Sequence, residues 1–305
     1  MRLAHLSDPH LAPLPCPRAR DLLGKRASGF LSWQLRRRFR HRPEVLEAVV
    51  ADLRAFAPDH IVVTGDLANL SLPEEFVRAA RWLAGLGSPE RVSLVPGNHD
   101  AYVRLAPEQS AAQWTPWITD DDGRSGFPWL RRRPPLALIG LSSAVPSAWF
   151  RATGSVGETQ LEALERMLAD LGDEDLIRVL LVHHPPLERV PRRKALLDRE
   201  ALLRVIARHG VELVLAGHLH RFAVEWLFGP RQPVPLLLAP SASLLSSAEG
   251  CGGYVRLVVE GTRRQPRIEV ELRRFDPGSG RVTGTGRFSL SAAAAGRAEA
   301  EMALP

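Results

Sequence analysis

The stretch HIVVTGD, residues 60–66, sets a β-branched apolar run directly against a Gly-Asp turn. So short a run, bounded by glycine, predicts a buried strand that delivers Asp66 beyond its carboxyl end. The same arrangement recurs on both sides of it. Leu3 to Leu6 leads into Asp8-Pro9-His10, and Arg91 to Val95 into Gly97-Asn98-His99-Asp100. Ile177 to Val182 leads into His183-His184-Pro185-Pro186, and Val211 to Ala216 into Gly217-His218-Leu219-His220. Carboxylate, amide and imidazole groups without thiolate, gathered beyond strand ends, describe a hydrolase that works with two divalent ions.

Helical patterns lie between these strands. Val45, Leu46, Val49, Val50 and Leu53 predict a helix over 43–56 that ends before Pro58, and a second helix spans 73–86. A third, over 157–171, carries Leu161, Leu164, Met167 and Leu168 as its core stripe. The β-α-β rhythm is that of a layered α/β fold. Leu136 to Leu141 reads as a further strand, and beyond His220 strands over 223–228, 234–238, 253–259 and 267–275 complete a second sheet. The expected catalytic domain spans 1–290, with a basic amphipathic insertion at 13–42 and a loop-rich, cap-like stretch at 101–133. The tryptophans of that stretch, Trp114, Trp117 and Trp129, read first as packing anchors and second as substrate contacts. Residues 291–305, with alanine at 292–295, read as a tail.

An apolar content of 45% over 305 residues is enough for a full core. No apolar run approaches the roughly 18–20 residues of a spanning helix, so an integral membrane protein is not expected. A cleaved secretory leader is not expected, because cleavage would remove Asp8 and His10. Two cysteines, Cys16 and Cys251, fit a reducing compartment, so a cytoplasmic location is expected. The net charge of +6 is unevenly placed: residues 18–42 hold nine cationic side chains against Asp21, a local +8 that leaves the remainder at −2. One basic insertion on a nearly neutral body points to a local docking surface for an anion or an anionic membrane, not to general nucleic-acid affinity.

In order, the blocks D-x-H, G-D, G-N-H-D, H-x-P and G-H-x-H between residues 8 and 220 resemble the calcineurin-like metallophosphoesterases, with no position of that pattern missing. The resemblance implies a four-layer α/β sandwich of two mixed β-sheets flanked by helices. It implies that Asp8, His10, Asp66 and His220 hold one ion, and that Asp66, Asn98, His183 and His218 hold the other, with Asp66 the bridge. Mixed nitrogen and oxygen ligation suits Mn²⁺, the favoured ion here, as well as Fe or Zn²⁺. His99 is the implied catalytic residue facing the leaving oxygen, as an imidazolium, with Asp100 orienting it. Asn98, His184, Arg36, Arg37 and Arg38 are the candidate substrate contacts. His5 and His60 read as core or sheet-edge residues, and His41 and His209 as solvated surface.

The metals recognise phosphorus and leave the rest of the substrate open. The pattern is similar to bacterial cyclic-nucleotide phosphodiesterases, to nucleases, and to the pyrophosphohydrolases that cleave UDP-2,3-diacylglucosamine in lipid A synthesis. The insertion favours the last. Leu22, Leu23, Phe30, Leu31, Trp33, Leu35 and Phe39 alternate with cations, as in a segment that lies at a membrane interface. The competing reading folds the same segment over the site. A non-catalytic scaffold is disfavoured, since all seven ligand positions are filled.

Overall fold

The computed structural model describes residues 1–246 and 250–290. In chain order, β1 (Arg2–Leu6) precedes a helical excursion, α1 (Lys25–Ser32) and α2 (Arg38–Arg40), joined by a π-helical turn at Trp33–Arg37. There follow α3 (Pro43–Phe56), β2 (His60–Val63), α4 (Pro73–Leu86), β3 (Val92–Leu94), β4 (Trp129–Arg133) and β5 (Leu136–Gly140). The second half contributes α5 (Glu158–Asp170), β6 (Ile177–Leu181), α6 (Arg199–His209), β7 (Leu213–Ala216), β8 (Ala223–Leu227) and β9 (Val234–Leu238). It closes with β10 (Gly253–Thr262), β11 (Gln265–Asp276) and β12 (Arg281–Leu290).

These strands make two mixed sheets of six, in the orders β12-β11-β10-β1-β2-β3 and β4-β5-β6-β7-β9-β8. In the first, β1, β2 and β3 are parallel, with Leu3 opposite His60 and Ile61 opposite Val92. In the second, β5, β6, β7 and β9 are parallel. Side-chain alternation divides the second sheet between two cores. Ile177, Val179 and Leu181 join the large core shared with the first sheet, whereas Leu180 and Val182 pack against Leu164 and Leu168 of α5 and Leu202 and Ile206 of α6. The result is an α/β fold of two mixed β-sheets flanked by helices. Its parallel strands direct their carboxyl ends, and all five motif blocks, to one edge.

Local chemistry sets the boundaries. Pro43 and Pro73 open α3 and α4 at positions where a missing N–H costs nothing. The buried Glu75 carboxylate accepts from the backbone N–H groups of Asn69, Leu70 and Leu72, which ties the loop after Asp66 to the start of α4.

Four features depart from the sequence reading. The insertion is helical from Lys25 to Arg40 and folds against the site, held by the buried Trp33. The loop-rich stretch at 101–133 ends in β4, while Trp114, Trp117 and Trp129 are core residues as first read, Trp114 donating its indole N–H to Phe76 O at 3.0 Å. Helix α6 went unread because Arg199, Arg204 and Arg208 dilute its apolar stripe. Strand β12 is exposed along nearly its whole length and so lacks a period-2 signal. The tail expected at 291–305 lies outside the described residues.

Candidate metal centre

The backbone at the site is unusual before any side chain is considered. Asp8, His10, Asp66, His218 and His220 all have positive φ, between 40° and 70°. That region is sparsely populated by residues other than glycine, costs of order 1–3 kcal/mol per residue, and marks functional sites when it clusters. Two glycines permit the close approach. A Cβ on Gly97 would collide with Asp66 Oδ1, and one on Gly217 with Ser7 Oγ and Asp8 Oδ2.

Side chains from β1, β2 and β7 then converge. His220 Nε2 lies 3.1 Å from Asp8 Oδ1 and 3.3 Å from His10 Nε2, and His10 Nε2 lies 3.8 Å from Asp66 Oδ2. On the other side of Asp66, the same Oδ2 is 3.4 Å from His183 Nε2, which is 3.3 Å from Asn98 Oδ1. A single oxygen of Asp66 therefore faces both groups, since Oδ1 accepts from the His99 N–H at 2.7 Å. Outer partners fix the rings. His183 Nδ1 lies 2.5 Å from Thr64 O, which leaves Nε2 for the centre, and His218 Nε2 lies 3.0 Å from Lys194 O with its ring packed against His183.

The donor set fits divalent ions by a test internal to the chain. Asp8 Oδ1 is fully buried without a hydrogen bond, while Oδ2 is held by the Ser7 hydroxyl at 2.5 Å and the His218 N–H at 3.0 Å. A buried, unsatisfied carboxylate oxygen among imidazoles is costly unless a cation is its partner. Burial opposes the charge on Asp8, but His220 and Ser7 outweigh it and hold the carboxyl below its ordinary range. Burial likewise opposes a proton on His183, yet the Asp66 carboxylate outweighs it and raises this imidazole to about 9.

The catalytic pair implied by the resemblance is arranged differently from expectation. Asp100 does not orient His99. Its carboxylate accepts from the N–H groups of Asp66, Ala68 and Gly97, each at 2.8 Å, and so knits two motif loops together. His99 is instead held by Asn69 O, 2.6 Å from its Nδ1, and by stacking on Tyr102 at 5.5 Å. Burial, followed by the Arg37 guanidinium, pushes His99 down to about 3, so the substrate-free chain carries it neutral and not as an imidazolium.

A cavity of about 590 Å³ opens over the centre. The insertion lines it with Lys25, Arg36, Arg37 and Arg40, and Arg151, Arg193 and Lys194 face them, with Asp66 the sole carboxylate among the described residues that line it. Arg37 reaches deepest, its Nη2 3.0 Å from His10 Nδ1 and its Nη1 3.2 Å from His99 Nδ1. Arg38 does not join it. It bonds Gln34 Oε1 at 2.6 Å and stacks over Phe39, outside the cavity. His184 is no substrate contact either, being fully buried with Ser143 Oγ at 2.7 Å from Nδ1 and Ala152 O at 3.3 Å from Nε2. His5 and His60 are core residues as read. His41 is the largest correction: it is buried against His10 and His220. Lys25, Arg40, Tyr102 and Arg193 were also missed as cavity residues, because nothing in their local sequence sets them apart from the chain's many surface cations.

Comparison with known proteins identifies the class. The profile of the calcineurin-like phosphoesterases matches residues 1–222, and the chain belongs to this family. A probable cyclic nucleotide phosphodiesterase of Synechococcus is 32% identical over 187 residues, covering 58% of this chain and 64% of that protein. The glycerophosphodiester phosphodiesterase of Enterobacter lignolyticus is 28% identical over 181 residues, 53% of this chain and 59% of the other. The chain thus spans between 49% and 64% of the length of the curated relatives it matches. In three dimensions it is similar to a dimetal phosphatase from Danio rerio, at TM-score 0.60 and 14% identity over 93% of this chain and 98% of that one. This is a metal-dependent hydrolase family, and the clustered aspartates and histidines are consistent with its active site.

Proposed function

We propose that this protein hydrolyses a phosphodiester or pyrophosphate bond with a pair of divalent ions. The observation that carries the reading is the convergence of Asp8, His10, His220, Asn98 and His183 on Asp66, beneath a strongly cationic cavity. Asp8, His10, Asp66 and His220 would hold one ion, and Asp66, Asn98, His183 and His218 the other, with Mn²⁺ the favoured metal. When bound, such a pair supplies an activated water and positive charge to offset the phosphoryl oxygens. The chain's own groups do the rest. Arg37 has no carboxylate ion pair among the described residues and points its guanidinium at His10 and His99, so its charge is available to the non-bridging oxygens. His99, tied through Nδ1, keeps Nε2 for the leaving oxygen, and an anionic substrate raises its proton affinity at the moment a proton is needed.

The cations lining the cavity exceed what a singly charged diester requires, which supports a substrate with a second anionic group, such as a diphosphate. Two substrate readings follow. Cyclic nucleotides are supported by the named activity of the Synechococcus relative. A lipid-linked substrate such as UDP-2,3-diacylglucosamine, turned over by a cytoplasmic protein lying peripherally on an anionic membrane, is supported by Leu31, Leu35, Phe39 and Phe150. All four are more than half exposed, and Phe150 lines the cavity while the other three lie on the helical insertion that walls it. No helix among the described residues is long and apolar enough to cross a membrane.

The deciding experiment loads purified protein with Mn²⁺ and screens an aryl phosphodiester, cyclic nucleotides and the UDP-linked acylated sugar. Asp66→Ala should lose both ions by mass spectrometry and lose activity by more than the roughly 10–100-fold typical of an outer partner. Full activity in Asp66→Ala would remove the two-ion reading.

A further inference from the structure

We propose that His41 is an additional imidazole ligand, placed by the insertion beside His10 and His220 of the site that Asp8 and Asp66 complete. The proposal rests on the two-ion reading above and assigns a role to a residue outside all five motif blocks.

His41 is only 3% exposed, although it ends the most basic stretch of the chain. Its ring centroid is 4.3 Å from that of His10 and 5.6 Å from that of His220, and the three side chains can bring ligand nitrogens within 4.8 Å of one another. One nitrogen is already committed: Nδ1 lies 3.0 Å from Ser243 Oγ, the outer hydrogen bond that fixes a metal-binding imidazole and leaves Nε2 for the ion. Among the described residues Nε2 has no hydrogen-bond partner, and the residue lines the cavity.

The backbone is secured as a ligand position needs. His41 N–H donates to Arg37 O at 2.9 Å and the residue pairs with Leu244, while Arg42 N–H donates to Ser243 O at 2.9 Å. The same loop holds the opposite side of the centre, since Ser241 Oγ donates to Asp8 O at 2.7 Å and Ala242 N–H to Ser7 O at 2.9 Å. One short segment after β9 thereby sets the spacing of Asp8 and His41. A histidine buried only to fill space would sit among apolar groups. This one sits beside two imidazoles and opens on the cavity, where Nε2 has room for a partner.

Two consequences follow. With three imidazoles and two carboxylates the first site becomes the more nitrogen-rich of the two, which biases it toward Zn²⁺, Fe or Co²⁺ over Mg²⁺. The ion also becomes a staple between the helical insertion and the body of the fold.

The test follows histidine ring nitrogens of the ¹⁵N-labelled wild-type chain by NMR during Zn²⁺ titration. His41 is assigned through Ser243→Ala, which leaves the imidazole in place. His41 Nε2 should move to the range of a metal-bound imidazole together with His10 and His220. If His10, His183 and His220 shift and His41 does not, the additional ligand is overturned and the two-ion reading stands. If none of them shifts, the two-ion reading falls and His41 with it. As an independent readout, folded His41→Gln loaded with Co²⁺ should show an altered visible absorption spectrum and bind its tighter ion at least about 10-fold more weakly by chelator competition. An unchanged spectrum and affinity would overturn the proposal.

Discussion

His99 illustrates how a single side chain departs from its motif. Its neighbours in sequence suggest an Asp100–His99 couple, but the fold gives Asp100 to three backbone amides and His99 to Asn69 O. His99→Ala should keep both ions and lose about 10²- to 10⁴-fold in kcat, with a smaller loss for aryl esters whose leaving group needs no proton. Steady-state kinetics across a leaving-group series checks this, and equal losses throughout would leave only a positioning role. A second residue-level expectation concerns pH. Burial, followed by Arg133 and Arg131, holds the His60 imidazole down at about 3 from an ordinary 6.5. Between those values the unfolded chain takes up a proton that the folded chain refuses. Stability is therefore complete above about pH 6.5 and falls as pH drops toward 3, by about 1.4 kcal/mol per pH unit for this group. Urea unfolding at about pH 7 and about pH 4.5 should show that loss, and His60→Asn should lessen it.

At the scale of elements, the strands and helices that carry the motif blocks are legible because their apolar periodicity is set by two-sided burial. The predicted helix over 43–56 and strand over 234–238 coincide with α3 and β9. The insertion is different. Its charges and apolar residues fit an interfacial helix, a solvated loop or a segment folded over the site equally well, and it is contacts distant in sequence that set Lys25, Arg36, Arg37 and Arg40 along the cavity. Trp33 is the anchor, at 4% exposure. Trp33→Ala removes packing worth up to about 3–5 kcal/mol, more than a local segment of this size can spare. Hydrogen exchange should accelerate over 25–40 while β2 and α3 keep their protection, and KM should rise more than kcat falls.

For the whole molecule, the metal centre is also a stability device, because five ligand loops, three of them with strained backbones, meet around two buried carboxylates. A chelator should lower the melting midpoint, since an ion at about 100 times its Kd stabilises by about 2.7 kcal/mol. At about 2–4 °C per kcal/mol the loss is roughly 5–10 °C, measurable by scanning calorimetry with and without added Mn²⁺. By itself, the sequence determined the α/β class, the strand ends and the seven candidate ligands, because each of these is written in local periodicity or in residues adjacent along the chain. Tertiary structure alone decided that Asp66 presents one oxygen to both groups, that Arg37 enters the cavity while Arg38 turns away, and that His41 is buried against His10 and His220. Those outcomes depend on segments up to about two hundred residues apart, such as Asp8 with His218 and His41 with Ser243, which meet only when the two sheets pack. No local pattern records such a meeting, since burial and approach are properties of the packed layers and not of the neighbouring residues.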